Sequence, residues 1–251
     1  MSSQNNFTGV KVLVTGAGRG IGRAIVTELH ARGAIVYALS KNPDNLASLK
    51  EQCPKIISIC ADLTDLEQTQ KAVEPIEAVD CLINNAGIME LADFLGISPE
   101  HFERQFSVNL NAVVFLSQII VKKMIAAGNG GSILNMSSIL GQRPVKFCGI
   151  YNCTKAALDM LTKSMALELA VHKIRVNSLN SGMVQTDLIS GLMGQEIDPK
   201  EVEKVIMRLI ERTPTQTSFM PMSDIVNTAL FLASNQTSQI TGQCLAVDGG
   251  I

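Results

Sequence analysis

A doubly wound α/β domain on a parallel sheet is the fold this sequence predicts, and three observations predict it. Short apolar, β-branched runs recur along the chain, each closing on a small or polar residue. Stretches of helical periodicity separate them. No linker, repeat or low-complexity tract interrupts the alternation over 251 residues. Strands that alternate with helices are joined by crossovers, so they run parallel, and a parallel sheet must be covered on both faces. One domain spanning 1–251, with seven mostly parallel strands and helices on both sides, is therefore expected; one α/β core can reach this size.

The elements follow in order. VKVLVTG (10–16) reads as a buried strand, and IGRAIVTELHARG as a helix with Ile21, Ile25 and Leu29 on one face and Gly33 as its stop. AIVYALS (34–40) is the second strand and NPDNLASLKEQ the second helix. IISICAD (56–62), a helix, and VDCLINNAG (79–87) continue the rhythm. One long helix is expected through FERQFSVNLNAVVFLSQIIVKKMIAAG, then a strand at GSILNMSS (131–138). A helix from Tyr151 to Ala170 carries Leu158, Leu161, Met165 and Leu169 as an apolar stripe. KIRVNSLN (173–180) and QCLAVDG (243–249) supply the last two strands.

Segment 182–222 breaks the pattern, with no strand of its own. Asp198, Pro199 and Glu201 resemble a helix start, and Val202, Ile206, Leu209 and Ile210 share one face. An insertion beyond the carboxyl ends of the strands suits a substrate lid, the alternative being a surface helical hairpin.

Composition narrows the function classes. Net charge is −2 and no basic run is present, which argues against nucleic acid as the main partner. The polar start MSSQNNFTG has no signal-peptide core, and no run of consecutive apolar residues is of membrane-span length. Six cysteines without CxxC pairing fit a reduced, cytoplasmic protein. His30, His101 and His172 lie far apart, so no metal site is expected.

After the first strand comes TGAGRGIG, with Gly16, Gly18, Gly20 and Gly22. Glycines let a backbone turn sharply and approach a pyrophosphate at a helix N-terminus. The strand before and the helix after supply the context that a Rossmann dinucleotide site requires. A phenol and an ammonium four residues apart, Tyr151 and Lys155, then share a helical face. Carbonyl reduction leaves negative charge on oxygen and needs a proton donor. A free phenol, with pKa about 10, is brought closer to neutrality by a nearby cation.

Taken with Asn84-Asn85-Ala86-Gly87, these motifs make the chain resemble the short-chain dehydrogenase/reductase family, from Lys11 to the final Val-Asp-Gly-Gly. The resemblance implies that Tyr151 is the acid/base and that Lys155 lowers its pKa and binds the nicotinamide ribose. It makes Ser138, rather than the adjacent Ser137, the partner of the substrate carbonyl, and Asn109 the holder of a water in the proton relay. Asn111 is structural on this reading. It also lays Gly16, Arg19, Gly20, Ile21, Gly22, Asp62, Leu63, Asn85, Ala86, Gly87, Val184 and Thr186 along the cofactor. Asn84 belongs there or is a turn residue. Ser181 stands where relatives commonly have proline before Gly182, and lacks the fixed φ of that residue.

NAD sites usually carry an acid at the end of the second strand, bonding the ribose 2′-hydroxyl. Here the strand ends Leu39-Ser40-Lys41-Asn42 without one. Ser40, Lys41 and Arg19 suit a 2′-phosphate instead, or singly are solvated surface groups. NADP(H) is the expected cofactor. The stretches GRGIGRAIVTELHARGA and ALDMLTKSMALELAVHKIRVN are similar to the L-xylulose/dicarbonyl reductase branch, which implies NADPH-dependent reduction of α-dicarbonyls or keto sugars by a homotetramer. Leu140, Cys148 and Met193 are candidate pocket walls or core residues. The alternatives are a 3-oxoacyl-carrier-protein or hydroxysteroid reductase and a non-catalytic NADP-sensing protein.

Overall fold

The computed structural model describes residues 7–190 and 197–251. Seven strands, β1 (Lys11–Thr15), β2 (Ile35–Ser40), β3 (Ile57–Cys60), β4 (Cys81–Asn84), β5 (Gly131–Ser138), β6 (Ile174–Ser181) and β7 (Cys244–Val247), form one sheet in the order β3-β2-β1-β4-β5-β6-β7. All pairings are parallel. The expected architecture is the one found.

Alternation along each strand divides the core into two layers. Val12 and Val14 of β1 face one side, where they join Ile25 and Leu29 of helix α1 (Gly20–Ala31) and Ile225 and Leu230 of α9 (Met222–Ala233). Leu13 faces the other side, with Leu116 and Ile120 of α5 (Ala112–Ala127). Because both faces are covered, β1 reads as an unbroken apolar run instead of an alternating one. Helix starts follow their caps. The Asn42 side chain accepts the Asn45 N–H at 3.0 Å to open α2 (Pro43–Gln52). Asp65 accepts the Gln68 N–H at 2.9 Å to open α3 (Leu66–Val73). Each such cap contributes about 1 kcal/mol.

The single helix expected after β4 is three pieces: α4 (Pro99–Phe106), a π-helical turn over Ser107–Asn111, and α5. The Asn109 side chain explains the break. It accepts the Ile88 N–H at 2.8 Å and donates to the Ile88 carbonyl at 2.9 Å and to Thr154 Oγ1 at 3.1 Å. Widening the helix by a π turn lets one buried amide reach all three groups. By length and hydropathy the span Pro99–Ala127 would cross a membrane. Its buried Leu116, Ile120 and Met124 lie instead in the layer against the sheet, which makes it a core helix.

Helix α6 (Gly149–Leu169) also departs from the expected stripe. Leu158 is buried, but Leu161, Met165 and Leu169 are half-buried, and the innermost face carries Thr154, Lys155, Asp159 and Thr162. The polar members are held by hydrogen bonds, Asn135 donating to Thr162 Oγ1 at 2.9 Å, so the face that holds the lysine can sit against the sheet. Segment 182–222 contains the short α7 (Asp187–Ser190) and α8 (Pro199–Arg212), the latter opened by Asp198 accepting the Lys200 N–H at 3.0 Å. Met193 lies outside the described residues.

Candidate active site

In an open α/β sheet, ligands bind beyond the carboxyl ends of the strands where the order reverses. Here β1 has β2 on one side and β4 on the other, and a cavity of about 450 Å³ opens at that point. Two glycines shape its floor. Gly16 has φ +62°, and a Cβ there would come within 2.8 Å of Ala86 Cα. A Cβ on Gly22 would lie 2.3 Å from the Gly16 carbonyl oxygen, so any side chain would push the loop off α1. Thr15 was not singled out by the sequence, yet its hydroxyl accepts the N–H groups of Asn85 (2.9 Å) and Ala86 (3.0 Å). It thereby joins the loop after β4 to the end of β1. Helix α1 begins with no side-chain cap and no acid in its first turn. Its free N–H groups and positive dipole end suit a pyrophosphate.

Most of the expected cofactor residues line this cavity: Gly16, Arg19, Gly20, Ile21, Ser40, Lys41, Asp62, Leu63, Asn85, Ala86, Gly87, Tyr151, Lys155 and Thr186. Gly22 supports the loop from beneath, and Val184 lies on the wall of the neighbouring apolar pocket. Asn84 is the last residue of β4 and not a turn residue, its side chain donating to Ser117 Oγ (3.1 Å) and Asn135 Oδ1 (2.9 Å) inside the core. At the far end, Lys41 pairs with Asp62 at 3.0 Å. Partial burial acts to raise the Asp62 carboxyl, but hydrogen bonds from Thr64 and Lys41 together hold it below the usual carboxylate range. A phosphate arriving there would meet Ser40, Arg19 and an ammonium already held by one carboxylate.

Ser138, Tyr151 and Lys155 meet at the other end, all buried. Ser138 ends β5, where its Oγ accepts the Leu140 N–H at 3.2 Å and so has a set direction. Ser137 Oγ instead donates to the Lys155 carbonyl at 3.3 Å, fastening β5 to α6. Lys155 Nζ donates to the Met136 carbonyl at 2.8 Å and stands 5.6 Å from the centroid of the Tyr151 ring. Asn109 reaches this group through Thr154 and Ile88, while Asn111 is exposed. Ser181 continues β6, its carbonyl 3.5 Å from Ser138 Oγ.

Burial drives both ionisable groups toward neutrality. The phenol of Tyr151 is pushed up to about 12, by burial first, against a lowering hydrogen bond with Ser138. Lys155 is pushed down to about 8 by burial, with Asp159 opposing. Burial outweighs any lowering of the phenol here, and the Lys155 ammonium donates to the Met136 carbonyl. A protonated phenol near neutral pH is nevertheless the form that donates a proton.

Beside the hydroxyls of Ser138 and Tyr151 lies a second, apolar pocket of about 120 Å³. Leu140 and Cys148 line it as expected, together with Met89, Leu91, Phe147 and Met220. Val202, Val205, Ile206 and Leu209 of α8 close one side, so segment 182–222 contributes a wall. Phe147 was missed as a wall residue. Its φ of 69° is invisible in sequence, since nothing in its type signals a left-handed backbone. A buried network behind the site was missed too: Asn180 Nδ2 donates to Asp159 Oδ2 (2.6 Å) and to the Ser138 carbonyl (3.3 Å).

A glycine loop at the switch point, and a Ser-Tyr-Lys group between a nucleotide-sized cavity and an apolar pocket, define a nucleotide-dependent oxidoreductase architecture. A family model described as short chain dehydrogenase matches residues 10–196, and the chain belongs to that family. It is 45% identical over 246 residues to the L-xylulose reductase of Homo sapiens, covering 97% of each chain. It is 43% identical over 249 residues to carbonyl reductase (NADPH) 2 of Sus scrofa, covering 98% of each. Among solved structures, the 3-ketoacyl-(acyl-carrier-protein) reductase of Brucella melitensis complexed with NADH is similar. It has a TM-score of 0.87 and 30% identity, over 97% of this chain and 98% of that one.

Proposed function

We propose that this protein reduces small carbonyl compounds, α-dicarbonyls or keto sugars, at the expense of NADPH. The observation that carries the reading is the position of Ser138 and Tyr151, which both line the apolar pocket while Tyr151 and Lys155 also line the nucleotide cavity. NADPH bound there would supply the hydride. Ser138 Oγ orients the carbonyl oxygen, Tyr151 gives that oxygen its proton, and solvent restores the proton. Lys155, charged below about pH 8, holds the ribose hydroxyls and the positive field beneath them. Asn109 keeps the β4 loop against α6 and so keeps the relay in place.

Support for NADPH over NADH comes from the end of β2, where Ser40 and Lys41 stand without an acid, and from the relatives' names. The 3-oxoacyl reductase alternative has weaker support, 30% identity against 45%. Segment 182–222 acts as the substrate lid on this reading, because α8 walls the pocket. A homotetramer in the cytoplasm is the assembly we favour. Met160 and Leu167 on α6, 61% and 83% exposed, with Phe102 on α4, offer apolar surface for it. A monomeric mass in solution would overturn that assembly.

Steady-state NADPH oxidation with 2,3-butanedione, L-xylulose, an acetoacetyl thioester and a ketosteroid tests the activity. Turnover is expected with the first class of substrates, and kcat/KM should fall at least tenfold with NADH. Preference for the thioester or the steroid, or equal use of NADH, would refute the respective part.

A further inference from the structure

The pocket beside Tyr151 is small and its interior is apolar. About 120 Å³ compares with the ~150 Å³ apolar cavity that admits a benzene ring, so size alone admits both a short diketone and a ketopentose. Polarity separates them. The described lining residues include Met89, Leu91, Phe147, Cys148 and Met220, all buried. The polar side chains of the wall are few: Ser181 and Thr186 lie where it meets the nucleotide cavity, and the others are half-buried, exposed or already bonded. Lys146 is an exposed rim residue 3.7 Å from Glu201, and Thr213 gives its hydroxyl to the Leu209 carbonyl at 2.8 Å. Ser218 is exposed, and Asp248 accepts the Gly250 N–H at 2.9 Å. Two backbone groups of the wall are bonded as well, the Gly182 N–H to the Val247 carbonyl (2.9 Å) and the Met183 carbonyl from the Met220 N–H (2.7 Å).

Phe147 adds a second, independent observation. Its backbone is left-handed, at φ 69°, a conformation that bulky residues rarely adopt and that asparagine tolerates. Its ring is 8% exposed, packed with Met89, Leu91 and Cys148, and covered by Lys146 Nζ at 4.4 Å from the ring centroid. Strain held at a site wall points to a role for the side chain that bears it. The Phe147 ring itself supplies apolar contact.

We infer that the pocket selects carbonyl compounds flanked by alkyl or aryl groups over polyhydroxylated keto sugars, with Phe147 as the principal selecting residue. This rests on the carbonyl-reductase reading and narrows it. A keto sugar bears a hydroxyl on every carbon but the carbonyl. Each one brought against Leu91, Phe147 and Met220 loses water and meets no hydroxyl, amide or charge on those side chains, at a penalty of about tenfold in affinity, or ~1.4 kcal/mol. An alkyl chain loses nothing and gains contact with Phe147 and Met89.

The test compares kcat/KM for 2,3-hexanedione and L-xylulose with NADPH in the wild type, Phe147→Asn and Cys148→Ser. The diketone should lead by at least a hundredfold in the wild type. Phe147→Asn relieves the backbone and makes the wall polar, so it should narrow the ratio at least tenfold. Cys148→Ser, close to isosteric, should narrow it in the same direction by a smaller factor, and tells even if Phe147→Asn fails to fold. L-Xylulose equal to or better than the diketone in the wild type overturns the inference and leaves the reductase reading standing. No turnover of any carbonyl overturns both. Ratios unchanged in both variants remove Phe147 and its neighbour as the selecting wall.

Discussion

Lys155 bears the clearest conflict between stability and use. Its ammonium is buried at the edge of the nucleotide cavity and pushed from 10.5 to about 8 by burial. Below about 8 the folded protein carries the buried charge; between 8 and 10.5 the unfolded chain holds the proton that the folded one has lost. Burial of this group therefore costs stability below about pH 8, and that cost is relieved as pH rises toward 10.5. Replacing it by Lys155→Met should stabilise the ligand-free protein near neutral pH by up to about 3 kcal/mol, read from denaturant melts, while abolishing reduction. In the wild type, NADPH affinity and kcat/KM should decline as pH rises through about 8. A flat profile to pH ~9 would show that the lysine charge is not used. The pairing of Tyr151 and Lys155 was legible from four-residue spacing, but the depth of their burial was not. That depth comes from β5 and β6, which sequence spacing does not measure.

At the scale of elements, strands were legible because burial on both faces writes an unbroken apolar run, as in β1. The helical breaks were not. Asn109 reads as one polar residue in an apolar helix, and only the position of Ile88 and Thr154 around it calls for a π turn. The stripe on α6 misled for a related reason. Its inner face is polar, and hydrogen bonds from Asn135 and to Asp159 make that face compatible with a core. The glycine loop makes the sharpest prediction here. With only 2.3 Å between a methyl at position 22 and the Gly16 oxygen, Gly22→Ala should weaken NADPH binding at least tenfold by titration. Cooperative unfolding should be retained. Wild-type affinity in that variant would mean that the loop yields and does not hold the pyrophosphate.

The whole molecule divides its chemistry between two cavities that share Tyr151. One is large and lined by backbone, glycine and charge, and suits a nucleotide; the other is small and apolar, and suits what the nucleotide reduces. The first was legible in the sequence because its motifs are local, TGAGRGIG and NNAG each lying in one turn. The second is assembled from residues 89–91, 140–148, 182–189, 202–209 and 220, and no single stretch announces it. The central claim is that Tyr151 delivers the proton in NADPH-dependent carbonyl reduction. It is tested most directly by turnover of 2,3-butanedione in Tyr151→Phe, with NADPH affinity measured on the same sample. The account predicts at least a hundredfold loss in kcat with NADPH affinity within about threefold of wild type. Turnover near the wild-type rate would contradict it.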